Sequence, residues 1–234
     1  MHSFCGRIRI DHIQKEGSLM NHTSIDLEYH PKKIAVLFPG VGYHTDKPLL
    51  YYSKKLAKYL GFEILEVAYP PLPSGIKGSP DKMEEAFLLA RAQIEDQLSS
   101  IPFARYDSVV FLSKSIGTAL AASYAGDHAL PAQHVYYTPV AASFPFIKET
   151  LKSIRPIKVT APKDDTCRPK QIGFHGTADS WAETTQIQAL AKQINLPLHL
   201  IPNADHSLET GDVLKDLDIL KEVMTQTFHF LKMC

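Results

Sequence analysis

A serine, an aspartate and a histidine each follow a segment of the sequence that is typical of a buried strand. Ser115 comes just after the apolar run SVVFL, Asp179 after QIGFH, and His206 after LPLHLI. Because the carboxyl ends of parallel strands meet at one edge of a sheet, these three side chains can converge there. A serine hydroxyl becomes a good nucleophile when a histidine takes its proton, and a carboxylate orients that histidine. The sequence therefore predicts Ser115 as nucleophile, His206 as base and Asp179 as orienting acid.

Each of these residues also has a purely structural interpretation. Ser113 and Ser115 precede an Ala-rich helical segment, where a serine is a suitable N-cap. Asp179 is likewise a suitable cap for a helix that begins near Trp181. Asp205 lies beside His206 and is the alternative acid, although such a residue more often serves a turn or a cap.

The predicted elements that position these residues alternate between strands and helices. Continuous apolar runs predict buried strands, and apolar residues at helical spacing predict the helices between them. Such alternation indicates an α/β fold with a mostly parallel sheet and helices on both faces. The expected strands are Lys33–Phe38, Phe62–Tyr69, Ser108–Leu112, His134–Pro139, Gln171–His175 and Leu196–Ile201, the last beginning at or just after Pro197; the expected helices are Lys47–Leu60, Asp81–Ser99, Ile116–Ala125, 182–194 and 212–232.

The turn around Ser115 carries a family resemblance. The pentapeptide Ser113-Lys114-Ser115-Ile116-Gly117 resembles the nucleophile elbow G-x-S-x-G, with serine in place of the first glycine. The order serine, aspartate, histidine along the chain is also that of the α/β-hydrolase superfamily. The resemblance implies a three-layer α/β-hydrolase sandwich and a serine esterase or thioesterase with a catalytic triad.

The same resemblance implies an oxyanion hole and a pocket. Pro39-Gly40-Val41-Gly42 follows the first core strand, where family members often carry His-Gly-x-Gly. By resemblance, the backbone N–H groups of Val41 and Ile116 would bind the developing oxyanion, although Pro-Gly alone is also typical of an ordinary tight turn. The candidate pocket residues are Tyr43, His44, Lys114 and Trp181. Any of them can instead be packing, and for Lys114 a solvated side chain is the preferred interpretation over a role in binding an anionic substrate.

The length of one segment bears on the substrate. Relatives vary mainly through a cap that follows the strand after the nucleophile helix, and Val140 to Lys170 is the corresponding stretch here. It has room for one short helix and a loop rather than a lid domain. We therefore expect a minimal cap and an open, shallow site.

Composition and charge exclude several other classes of protein. The sequence has 25 Lys plus Arg and 25 Asp plus Glu, so no basic excess is available to neutralise a nucleic acid. No apolar run is long enough to span a bilayer, and the N-terminus lacks the apolar core of a secretory signal. Three scattered cysteines imply neither a disulfide framework nor a metal site. These observations predict a cytoplasmic protein with no cofactor, no metal, and no nucleic-acid or membrane partner.

The N-terminus differs from the rest of the chain. Residues 1–22 show no clean period and are expected to be a poorly ordered leader or tail, followed by a single domain over 23–234. Lys15-Glu16-Gly17 can be encoded by a purine run resembling a bacterial ribosome-binding site, shortly before Met20. One hypothesis is that Met20 is the natural start of a bacterial protein; a genuine flexible tail is the alternative.

Together these features predict hydrolysis of a carboxylic ester or thioester, with a small acyl compound as substrate. Acyl transfer or peptide cleavage by the same three residues is an alternative that the sequence does not separate. A non-catalytic binding module on the same fold is a second alternative, and a flavodoxin-like nucleotide-binding domain, which lacks support from any phosphate loop, is a third.

Overall fold

A computed structural model describes residues 31–152 and 171–234, and the described residues from Lys32 onward belong to one compact unit. Within these ranges the chain forms six strands and six α-helices in alternation, with two short 3-10 helices at Phe103–Arg105 and Ala141–Ser143. The strands are β1 (Lys33–Phe38), β2 (Phe62–Glu66), β3 (Ser108–Lys114), β4 (Gln133–Tyr137), β5 (Gln171–Gly176) and β6 (Leu198–Ile201). The helices are α1 (Pro48–Tyr59), α2 (Pro80–Leu98), α3 (Ile116–Asp127), α4 (Phe144–Lys152), α5 (Thr184–Gln193) and α6 (Val213–Lys232).

The six strands form one sheet in the order β2-β1-β3-β4-β5-β6, and every neighbouring pair is parallel. The predicted α/β fold with a parallel sheet is therefore confirmed. The central strand β3 is buried along its whole length, as a continuous apolar run predicts for a strand covered on both faces. Ser115 follows directly after the carboxyl end of this strand.

Two layers of helices cover the sheet. Helices α1 and α6 pack on one face around a core that includes Leu37, Leu112 and Val135. Helices α2 and α3 pack on the other face around Phe38 and Phe111. Because side chains alternate along a strand, neighbouring residues such as Leu37 and Phe38 supply opposite cores.

Helix boundaries follow from local chemistry. Helix α1 begins with Pro48, whose missing N–H costs nothing in the first turn. The side chains of Ser79, Glu183 and Asp212 cap the helices α2, α5 and α6 by accepting hydrogen bonds from backbone N–H groups. The helix expected from 182 therefore begins two residues later, because Glu183 takes the capping position.

Strand ends differ slightly from the expectation. Strand β2 ends at Glu66 rather than Tyr69, although the Val67 N–H still donates to the Leu37 carbonyl. Strand β6 begins at Leu198, directly after Pro197, as the missing N–H of proline predicts.

Some expectations lie outside the described residues. These are the poorly ordered leader or tail over 1–22 and the part of the predicted minimal cap beyond residue 152. Helix α4 occupies the beginning of that cap segment. None of the helices in the two described ranges is both long and apolar enough to cross a membrane.

Candidate active site

Ser115 stands at the sharp turn from β3 into α3. Its backbone has φ +56°, a left-handed conformation that is uncommon for a residue other than glycine. It occupies the N-cap position of α3, but its side chain makes no capping hydrogen bond. The Ser113 hydroxyl donates instead to the Val135 carbonyl. The structure thus contradicts the N-cap interpretation for both serines and leaves the Ser115 hydroxyl free for another partner.

The turn depends on one glycine and tolerates a serine at the other small position. A Cβ on Gly117 would lie 2.3 Å from the Phe38 carbonyl oxygen, so α3 can cross the end of β1 only with glycine there. Ser113 is fully buried and its hydroxyl has an acceptor, which explains why serine fits where the motif usually has glycine.

The structure brings Ser115, His206 and Asp179 into one hydrogen-bonded chain. The distance from Ser115 Oγ to His206 Nε2 is 2.8 Å, and that from His206 Nδ1 to Asp179 Oδ2 is 2.7 Å. An ionised carboxylate can only accept, so Nδ1 carries the proton and donates to Asp179. In the neutral ring Nε2 then accepts from the Ser115 hydroxyl. A histidine placed in this way can accept the proton of the serine.

The loops after β5 and β6 hold the acid and the histidine together. A Cβ on Gly176 would lie 2.3 Å from the Ala204 carbonyl oxygen, and the Ala178 N–H donates to that carbonyl over 2.9 Å. The Thr138 hydroxyl donates to the His206 carbonyl and ties the histidine loop to the end of β4. The sequence contains Gly176 and Thr138 but gives no signal that they position the site.

Asp179, not Asp205, is the partner of the histidine. The second oxygen of Asp179, Oδ1, accepts from the Trp181 N–H over 2.8 Å. The Asp205 carboxylate accepts from the backbone N–H groups of Ser207 and Glu209, as expected for a turn residue. The alternative acid is therefore already engaged in its own loop.

The electrostatics favour an ionised acid and a neutral base. Burial raises the pKa of Asp179, but the hydrogen bonds from His206 and the Trp181 N–H outweigh it, so the pKa lies below its ordinary value. Burial lowers the pKa of His206, the bond to Asp179 raises it, and the nearby charge of Lys114 lowers it, with a net lowering. Near neutral pH the pair is thus a carboxylate and an unprotonated imidazole.

A second histidine stands behind the acid. His175 Nδ1 lies 3.8 Å from Asp179 Oδ2, and its Nε2 is 3.2 Å from the Thr184 hydroxyl. Burial lowers the pKa of His175, although the charge of Asp179 opposes the change. His175 is not among the site residues predicted from the sequence. The available signal was its position at the end of the QIGFH run, four residues before Asp179.

The backbone N–H groups expected to form the oxyanion hole stand at two turns. Ile116 is the first residue of α3, so its N–H has no acceptor within the helix. Val41 lies at the tip of a tight turn closed by Gly40 and Tyr43, which exchange backbone hydrogen bonds. A Cβ on Gly40 would lie 3.1 Å from Ser115 Cβ, so this turn passes directly beside the serine. Neither N–H donates to another described residue.

The four candidate pocket residues differ in burial and in the groups that they contact. The Trp181 ring stacks on the His206 ring with centroids 5.5 Å apart, and the buried Tyr43 hydroxyl accepts from the Leu49 N–H. His44 is exposed and accepts from the Asp46 N–H. The preferred interpretation of Lys114 as a solvated side chain is wrong, because it is 1% exposed. The alternation along β3 turns its side chain toward the core beneath α1 and α6.

No arrangement of side chains for a metal is apparent in residues 31–152 and 171–234, where no three His, Cys, Asp or Glu side chains are grouped to hold an ion.

The fold is shared with solved structures of very different sequence. A protein of unknown function from Agrobacterium tumefaciens assigned to the α/β hydrolases superposes with a TM-score of 0.55 at 14% identity, over 88% of this chain and 86% of that one. An α/β serine hydrolase homologue from Coxiella burnetii gives 0.52 at 14% identity, over 83% and 84%. Est1E from Butyrivibrio proteoclasticus, solved with ferulic acid bound, gives 0.51 at 13% identity, over 84% and 90%.

No protein-family model matches the sequence, and no curated protein is significantly similar to it. The structural similarity shows that the chain has the α/β-hydrolase fold, as the elbow and the residue order predict.

Proposed function

We propose that this protein is a serine hydrolase that cleaves a carboxylic ester or thioester through an acyl-enzyme on Ser115. The observation that carries the proposal is the continuous hydrogen-bonded chain from Ser115 through His206 to Asp179. The α/β-hydrolase fold supports hydrolysis as the general class of reaction. The left-handed backbone at Ser115 supports a functional rather than a capping role, because the hydroxyl contacts the histidine and makes no capping hydrogen bond to the helix.

The first half of the reaction forms the acyl-enzyme. His206 Nε2 takes the proton of Ser115 as Oγ attacks the carbonyl carbon of the substrate. The N–H groups of Val41 and Ile116 then stabilise the negative oxygen of the tetrahedral intermediate, a contribution of about 3–4 kcal/mol per donor in comparable sites. The protonated histidine gives its proton to the leaving alcohol or thiol.

The second half of the reaction restores the enzyme. Water replaces the leaving group, His206 takes a proton from it, and the resulting hydroxide attacks the acyl carbon. Collapse of the second intermediate releases the carboxylic acid and returns the proton to Ser115. Asp179 stays ionised throughout and stabilises the imidazolium in both halves.

Hydrolysis of p-nitrophenyl esters of increasing chain length, and of acyl-CoA thioesters, tests the proposal. We expect turnover of short-chain esters by the wild type and a loss of at least about 1,000-fold in kcat for Ser115→Ala. Release of p-nitrophenol at the same rate by both proteins, with both folded, would instead favour the non-catalytic binding module. Transfer to an added alcohol or amine in place of water would identify an acyltransferase.

The small acyl substrate, the bacterial cytoplasmic location and the lack of nucleic-acid or membrane partners stay predictions from the sequence.

A further inference from the structure

Lys114 is a buried cation directly beside the proposed nucleophile. It is the last residue of β3, and its side chain lies on the same face of the sheet as that of Leu112. Its ammonium nitrogen is 5.0 Å from the centroid of the Tyr43 ring. A lysine that is 1% exposed is unusual, because burying an ammonium group costs free energy unless it is paired.

The surroundings of Lys114 leave it close to the triad but without a salt bridge. A Cβ on Gly40 would lie 3.1 Å from Ser115 Cβ, 3.2 Å from the Lys114 carbonyl oxygen and 3.4 Å from Lys114 Cγ, so the loop after β1 packs closely against both residues. No described carboxylate lies within salt-bridge distance of the ammonium group. Lys114 directly precedes Ser115, whose Oγ lies 2.8 Å from His206 Nε2, so this buried lysine belongs to the same cluster of groups as the histidine. The charges of Asp179 and Asp205 act on its ammonium group.

The charges that act on His206 oppose one another. Asp179 and Asp205 both favour the protonated imidazolium, and Asp179 does so through a direct hydrogen bond. An imidazolium cannot accept the proton of Ser115, so carboxylates alone would make the histidine a poorer base in weakly acidic solution. Lys114 acts in the opposite direction, since a nearby positive charge disfavours a second one.

We propose that Lys114 is a positioning residue for proton transfer, whose charge keeps His206 unprotonated and able to accept the Ser115 proton in weakly acidic solution. The catalytic consequence rests on the proposed function, whereas the effect on His206 does not.

The remaining titratable groups around this centre do not supply the same charge. Burial raises the pKa of Tyr137 to about 12 and that of Tyr43 further, so both stay neutral. Burial also lowers the pKa of His175 and raises that of Glu209. Among the described residues whose charges act on His206, Lys114 supplies positive charge, whereas Asp179 and Asp205 supply negative charge.

The influence of Lys114 on the protonation of His206 grows as the pH falls. Burial lowers the pKa of Lys114 to about 7, against the opposing charges of Asp179 and Asp205. Lys114 therefore gains its proton as the pH falls through about 7, in the range where His206 would otherwise become protonated. Its charge then delays protonation of the histidine and extends the acid side of the activity profile. Above that range Lys114 is neutral and leaves His206 unaffected.

An NMR titration of the His206 ring tests the proposal without reference to activity. The His206 signals are assigned by their loss in His206→Gln, and the midpoint is followed in the wild type, Lys114→Met and Lys77→Met. We expect Lys114→Met to raise the midpoint by about one pH unit, as removal of a nearby like charge does. Methionine fills a similar volume without the cost of burying a charge, so the variant should fold. Lys114→Gln provides a second uncharged side chain.

Lys77 is the matched control because it is a cation beside the same site but exposed. Its ammonium nitrogen is 2.8 Å from the Ser180 hydroxyl and 5.4 Å from the centroid of the Trp181 ring that stacks on His206. Solvent screens such a charge, so Lys77→Met should leave the midpoint unchanged. An unchanged or lowered midpoint in both Lys114 variants would overturn the proposal, as would an equal shift in Lys77→Met.

The pH dependence of ester hydrolysis separates this inference from the proposed function. If the protein hydrolyses esters, the acid limb of kcat/KM should move with the NMR midpoint in Lys114→Met. If no ester is hydrolysed at any pH, the proposed function fails, and the NMR midpoint still decides whether Lys114 controls His206.

Discussion

At the scale of single residues, the site combines a strained backbone with a fully engaged acid. Ser115 and Thr138 both have positive φ, and each stands directly beyond the end of a central strand. Such conformations cost of order 1–3 kcal/mol each and persist only when the surroundings impose them. Here the two turns present a hydroxyl to His206 and a hydrogen bond to its carbonyl, so the strain serves the geometry of the chain of hydrogen bonds.

The first prediction compares the two aspartates near the histidine. Asp179→Asn should lower kcat for ester hydrolysis by about 10,000-fold, because an amide at this position favours the wrong tautomer of His206. Asp205→Asn should lower it less than about tenfold, because this carboxylate bonds to the backbone of its own turn rather than to the imidazole. Steady-state rates of both variants decide the matter, and the reverse order of effects would assign the acid to Asp205.

Residue types and their order along the chain were predictable, but the directions of side chains were not. The positions of Ser115, Asp179 and His206 after strands predicted one edge of the sheet, and the structure brings them within hydrogen-bonding distance there. For Lys114 the usual exposure of lysine suggested a solvated side chain. The sequence does not say that the lysine lies against the Tyr43 ring inside the fold, and its burial there is a result of tertiary packing.

At the scale of secondary-structure elements, the close crossing of α3 over β1 is the contact on which the turn depends. The ten residues Ile116–Ala125 are all buried, since the helix packs against the sheet and against α2 and α4. Small residues allow this approach, and Gly117 is the tightest point of it.

The second prediction concerns two glycines of that helix. Gly117→Ala should lower the free energy of unfolding by about 2–3 kcal/mol and displace Ser115, because the new methyl group would overlap the carbonyl oxygens of Phe38 and Pro39. Gly126→Ala, in the same helix with open space around it, should raise the free energy of unfolding by about 0.5–1 kcal/mol. Urea unfolding measures both. Equal stability of the two variants would show that the crossing is not the constraint we describe.

Element types were predicted well because the apolar runs are short and continuous, whereas element ends depended on local hydrogen bonds. Tyr69 belongs to the apolar segment after α1 but lies beyond β2, since the ladder with β1 stops at Glu66. Helix α5 begins later than predicted because the Glu183 side chain accepts from the N–H groups of Thr185 and Gln186. Glutamate is not among the strongest capping residues, so its sequence signal is weak.

At the scale of the whole molecule, the sheet encloses a histidine whose ring has no hydrogen-bond partner in the described part of the chain. His134 in β4 is fully buried, its two ring nitrogens are unpaired among the described residues, and its ring stacks on Tyr136 and meets the edge of Phe111. Burial lowers the pKa of His134 from 6.5 to about 3. The folded protein therefore resists protonation of this side chain while the unfolded chain does not.

The third prediction follows from that difference. Below pH 6.5 the unfolded chain binds a proton at His134 that the folded protein does not, so stability falls as the pH falls and continues to fall toward pH 3. Between pH 8 and pH 5 the loss from this residue should be about 2 kcal/mol. In His134→Leu that part of the pH dependence should disappear, as the difference between urea unfolding curves at the two pH values will show.

His44 provides the control for this measurement. Its side chain is 66% exposed, so His44→Leu should keep the pH dependence of the wild type. If His134→Leu loses as much stability between the two pH values as the wild type does, the histidine is not held neutral in the core.

The strand order across the molecule was less accessible from the sequence than the elements themselves. Alternation of strands and helices predicted a parallel sheet, but the order β2-β1-β3-β4-β5-β6 depends on which strands pair over long stretches of chain. Contacts such as that of Gly176 with Ala204, which draws the loops of Asp179 and His206 together, exist only once that order is formed. The sequence therefore predicted the three residues of the site better than the contacts that hold their loops in place.

The central claim is that the Ser115 hydroxyl is activated as a nucleophile by His206, and covalent labelling tests it most directly. A fluorophosphonate probe reacts with activated serines, and mass spectrometry of peptides identifies the modified residue. We predict one adduct per chain, on Ser115, that is absent in Ser115→Ala and forms at least about 100-fold more slowly in His206→Gln, in line with the loss of a general base. An unlabelled wild-type protein that is otherwise folded, or an adduct on a different serine, would contradict the account.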